Sequence, residues 1–138
     1  MAFSDIHWTA VLISALVGIA SGAIWFGPRT FYPVWAKAMG KTAGEIPGAG
    51  MNMGMVFGAT FVAQFVQATV LAFALTGMDG LNAVNGFFGG LIIGIGIAAA
   101  SALGHRLFGG QGFKVWIIEV GNDVLNLALM GLIIGLMS

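Results

Sequence analysis

Four stretches of this chain are apolar over the length needed to cross a bilayer, at residues 8–27, 51–75, 83–103 and 113–137. A hydrocarbon core about 30 Å thick takes about 20 apolar residues of helix. Lipid offers no water to satisfy exposed peptide groups, so a spanning segment is either a helix or a strand of a closed barrel. Barrel strands alternate apolar and polar residues in segments of about 10, and these stretches do not alternate. The sequence therefore predicts an all-α fold: an integral membrane four-helix bundle, one transmembrane domain over residues 1–138. Composition agrees. Only 7% of residues are charged and 59% are hydrophobic, whereas soluble domains carry about 25% charge.

The first apolar run does not read as a signal peptide, which needs a basic leading region. The residues before it contain Asp5 and no Lys or Arg. It is expected to stay as the first span. Net charge is +0 and there is no cysteine, so neither a nucleic-acid partner nor a thiolate metal site is expected. No metalloprotease, nucleophile-elbow or phosphate-loop motif appears. The glycines of Gly89-Gly90-Leu91-Ile92-Ile93-Gly94 follow no strand, so they are not a dinucleotide fingerprint. The expectation is a protein that is not an enzyme and holds no cofactor or metal.

Residues 28–50 form the one substantial loop. Its first part, Phe31 to Met39, is aromatic and basic, and Pro33 suits the first turn of a helix. A short interfacial helix is predicted there, followed by a flexible linker over residues 44–50. The other connections, 76–82 and 104–112, are short and glycine-containing.

Charge sets the expected orientation. The five basic residues are Arg29, Lys37, Lys41, Arg106 and Lys114. With four spans, all fall on one side, and the positive-inside rule makes that side cytoplasmic. Trp25, Tyr32, Trp35 and Trp116 mark the same interface and Trp8 the other. Both termini then lie on the outer, periplasmic side of a bacterial inner membrane.

Small residues recur every fourth position. Ser14, Gly18 and Gly22 do so in the first span, Gly54 and Gly58 in the second, Gly86, Gly90 and Gly94 in the third, and Gly131 and Gly135 in the fourth. Such stripes let helix backbones approach closely. They serve packing within the bundle or self-association. The third-span stripe is the longest, which makes it the candidate face for a homo-oligomer, a dimer above all.

Glu119 and Asp123 interrupt the fourth span, four residues apart and so on one helix face. Asn122 and Asn126 add amides. A charge in the bilayer core costs roughly 2.5–3.5 kcal/mol on insertion scales, so it has a partner or a task. Gln64, near the middle of the second span, reads as glue between helices or, if it faces them, as the completion of a polar pocket. Two readings stay open. In the structural one, Glu119 pairs with Arg106 or Lys114, and Asp123 takes hydrogen bonds from Asn126 or Gln64. In the functional one, Glu119, Asp123, Asn122, Asn126 and Gln64 line a site for a proton, a cation or a small polar solute. His105, near Arg106, is an interfacial histidine or a proton relay.

Two segments carry a family likeness. Residues 22–40, GAIWFGPRTFYPVWAKAMG, combine an aromatic pair, Gly-Pro and an aromatic-basic stretch ending in Met-Gly. Residues 104–137, GHRLFGGQGFKVWIIEVGNDVLNLALMGLIIGLM, place a His and a Phe before the turn and close on glycines and Met137. The chain thereby resembles an uncharacterised bacterial membrane-protein family, the domain of unknown function 1761. The resemblance implies a four-helix inner-membrane protein and carries no activity, substrate or catalytic residue. The expected function is binding or transport of a small polar or cationic solute or proton. The alternative is a non-transporting accessory or assembly subunit of a membrane complex, partnered by another membrane protein.

Overall fold

The computed structural model describes residues 3–27, 29–40 and 52–138. The expected linker over residues 44–50, together with Lys41 and the start of the second span at Met51, lies outside the described residues. Four helices are long and apolar enough to cross a membrane, and no strand occurs among the described residues. α1 runs from Trp8 to Trp25, α2 from Tyr32 to Ala38, α3 from Met53 to Leu75, α4 from Ala83 to Ile93, α5 from Ala100 to Phe108 and α6 from Gly112 to Leu136. α4 and α5 are two parts of one span, joined by a π-helical segment at Gly94–Ala99. That span continues to Phe108, past the glycine at position 104 where the sequence suggested a loop.

Caps explain the helix starts. His7 Nδ1 accepts the Ala10 N–H at 3.3 Å, Asn52 accepts that of Met55 at 3.2 Å, and Asn82 accepts that of Asn85 at 2.8 Å. Each satisfies a peptide donor that the first helical turn leaves free. α2 begins as expected, with Pro33 in its first turn, where the missing N–H is not needed. The turn between α5 and α6 holds Gly110 and Gly112 at φ 75° and 82°, a left-handed conformation that side chains with a Cβ disfavour.

α6 is the centre of the bundle. Half of its most apolar window is buried, against 17% for α3. α1 and α4 pack on it antiparallel, while α3 leans on α1 and α6 and scarcely touches α4. The tightest seam is α4 against α6. A Cβ on Gly86 would collide with the Gly131 carbonyl, one on Gly90 with the Leu127 carbonyl, and one on Gly135 with the Asn82 carbonyl. The Gly86-Gly90-Gly94 stripe is thus filled by α6 of the same chain, and that face is not open to a second copy. In lipid no hydrophobic force draws helices together, so this backbone-to-backbone approach supplies the dispersion contacts that do. Gly58 on α3, by contrast, has nothing against it.

Candidate functional site

The polar residues of α6 point in three directions. Glu119 faces α5 and α2. Its carboxylate pairs with the Arg106 guanidinium, and its other oxygen accepts the Trp35 indole N–H at 3.0 Å. One carboxylate so ties α2, α5 and α6 together. Two more indoles act nearby. Trp25 lies on Gly121, where no Cβ would fit, and donates to the Ile118 carbonyl at 2.8 Å. Trp116 donates to the carbonyl of Ala99, the last residue of the π segment, at 2.8 Å. Interfacial tryptophans, expected as membrane markers, are here also hydrogen-bond donors that fix the first half of α6.

Asn122 and Asn126 face α1. Asn122 Nδ2 donates to Ser21 Oγ and Asn126 Nδ2 to the Gly18 carbonyl, each at 3.3 Å. Gln64 approaches the same seam from α3: its Oε1 lies over Gly18, in the space a Cβ would take. That oxygen, Asn126 Oδ1 and Ser14 Oγ are buried without a hydrogen-bond partner among the described residues. Gly18 thus admits an amide from each side. These residues join helices across the bundle, as amides in membrane helices commonly do.

Asp123 faces neither group. It lines a groove of about 490 Å³ between α3, the π-containing span and α6. Valine, leucine, isoleucine and alanine make its walls, and Gln67 and Asp123 are its polar members. Asp123 sits near the middle of α6. Among the described residues its carboxylate makes no hydrogen bond and no ion pair. The groove opens sideways because α3 and α4 barely meet, and Val66, Val70 and Ile97 along it are exposed. A second groove of about 380 Å³ beside α1 has no charged residue in its lining.

The five candidate residues therefore do not form one pocket. Glu119 has gone to Arg106, as the structural reading of the sequence allowed. Asn122 and Asn126 bind α6 to α1, and Gln64 packs against Gly18 with its oxygen unpartnered among the described residues. Asp123 alone faces an open groove, and its neighbour there is Gln67 rather than Gln64. Gln64 and Gln67 are three residues apart, which on a helix turns them about 60° from each other, enough to send one to α1 and the other to the groove. His105 is exposed at the end of the α5 face, away from Asp123.

These features define a class: a multi-pass, all-α membrane protein with a carboxylate in a sideways-open groove, unpaired among the described residues. Within that class the chain belongs to the family described as Protein of unknown function (DUF1761), whose model matches residues 9–135. No curated protein and no solved structure matches it.

Proposed function

We propose that the protein binds a small cation or a proton at Asp123 inside the membrane, as the loading step of transport rather than of catalysis. One observation carries the reading: a carboxylate near mid-span that lines a groove and has no partner among the described residues. Ionisable groups at membrane depth cost folding energy and persist where binding or proton transfer uses them. Glu119 is excluded from this role by its pairing with Arg106 and Trp35. The protein acts in a plasma membrane with its basic end, Arg29, Lys37, Arg106 and Lys114, on the cytoplasmic side.

The test is proton release from the purified protein when a cation is added. Asp123→Asn keeps the shape and removes the charge. It is expected to lose the release while retaining expression and particle size. Release that persists in Asp123→Asn defeats the reading.

A second reading is supported by the outer face of α3. Met55, Val62 and Val66 are exposed there, and among the described residues nothing lies against Gly58. An accessory subunit, or a homo-oligomer, would use such a face. Mild-detergent purification separates these: a subunit brings a different chain with it, and a homo-oligomer brings only itself.

A further inference from the structure

We infer that the ligand of the Asp123 groove is a protonated amine with an apolar body and at least one N–H, and that it arrives from the bilayer rather than from water. The inference rests on the cation-binding reading of Asp123 and narrows it to a chemical class.

The route follows from the walls. Val66, Val70 and Ile97 border the opening and are exposed, so in a membrane they meet lipid. A ligand reaching Asp123 by this path must already be dissolved in the bilayer, which requires an apolar body. The size fits, since small-molecule pockets run from about 300 to 1,000 Å³ and the groove holds about 490 Å³.

The charged end follows from the polar atoms. Asp123 supplies a carboxylate and Gln67 an amide. A bare metal ion would need more oxygens, about six to eight for calcium and a near-complete octahedron for magnesium. A polar zwitterion or sugar would leave donors and acceptors facing apolar side chains, each desolvated without a hydrogen bond in return. An ammonium group needs only what is there. One N–H goes to the carboxylate as a charge-assisted hydrogen bond, and another can go to the Gln67 amide oxygen.

The absence of aromatic lining sharpens this. Quaternary ammonium ions have no N–H and are recognised by aromatic faces. Among the described residues, no Phe, Tyr or Trp lines the groove. The site is therefore built for N–H donation and discriminates against a trimethylammonium head. The π segment contributes Ile97 and Ala98 to the wall.

The experiment uses the full chain in lipid nanodiscs and four probes with one tail: octylamine, N,N-dimethyloctylamine, octyltrimethylammonium and octanol. Titration calorimetry reads saturable binding above lipid partitioning, and proton release is followed in parallel. Octylamine and dimethyloctylamine are expected to bind at least tenfold more tightly than the trimethyl compound, with octanol showing no saturable binding. Asp123→Asn should abolish the amine signal. Gln67→Leu should weaken octylamine more than dimethyloctylamine, which has a single N–H to give. Ala98→Phe fills the groove and leaves the carboxylate, so it should lose amine binding together with the proton release that amines drive. Equal affinity for the trimethyl head overturns the N–H inference and leaves cation binding at Asp123 intact. No amine binding with an Asp123-dependent proton response also overturns the inference alone. Loss of both responses in the wild-type protein removes the underlying reading as well.

Discussion

The Arg106 guanidinium holds the Glu119 carboxylate from the far side of the α5–α6 turn, and the Trp35 indole holds the other oxygen. The side chains of Arg106 and Glu119 are 29% and 19% exposed, so neither charge is fully hydrated. Removing one leaves the other in a poorly solvated place. Glu119→Gln is expected to cost about 1–3 kcal/mol, the range for a hydrogen bond to a charged group, and to lower the detergent melting temperature. Arg106→Leu combined with Glu119→Leu should be less harmful than the sum of the single changes. A double variant that melts at the sum shows that the pair contributes no coupling.

The α4–α6 seam should tolerate no side chain. Gly90→Leu sets a side chain against the Leu127 carbonyl and must push the helices apart, so folded yield should collapse. Gly58→Leu on α3 meets open space and should change stability by no more than about 0.5 kcal/mol, as at ordinary surface positions. Gel-filtration yield and thermal melts of the two variants check the contrast. Equal behaviour would mean that α4 does not pack on α6 through its glycines.

Asn126 is buried and hydrogen-bonded to Gly18, yet it belongs to a helix joint and not to the groove. Asn126→Leu keeps the volume and removes the bond. Hydrogen bonds between membrane helices average about 0.6 kcal/mol and reach about 1.7, so the melting point should fall modestly. Asp123-dependent binding should be unchanged in the same variant. A loss of binding with little loss of stability would place Asn126 in the ligand site.

Orientation is tested by fusions. A reporter active only in the cytoplasm should be active when inserted near Gly48 and silent when fused after Ser138. The reverse pattern would mean that the basic end faces outward.

How far the sequence reaches can be argued from α6. Its length and hydropathy set it as a span, because unpaired peptide groups in lipid leave no other solution. The first-turn Pro33 is an equally local signal, and the short helix α2 begins where it predicts. The third span shows the limit. The glycine at position 104 reads as a loop, but at the end of a continuous span it costs about 1 kcal/mol at most, and the packing of α5 on α6 carries the helix to Phe108.

The candidate site was legible as a list of residues and not as a place. Helical spacing puts Glu119 and Asp123 on one side of α6, and it puts Gln64 and Gln67 near each other on α3. Spacing alone could not say that Glu119 meets Arg106 and Trp35, that Gln64 rests on Gly18, or that Asp123 is left with Gln67 in a groove. A turn of about 100° per residue fixes directions within one helix. Which neighbour stands in each direction depends on how four helices rotate and tilt against one another. That is decided by the glycine contacts of α4 with α6 and by the gap between α3 and α4. The sequence by itself determined the spans and the end of the bundle that carries positive charge, because hydropathy and charge are written along the chain. Only the tertiary structure decided which acid is neutralised and which stays open, because pairing is a matter of distances between helices.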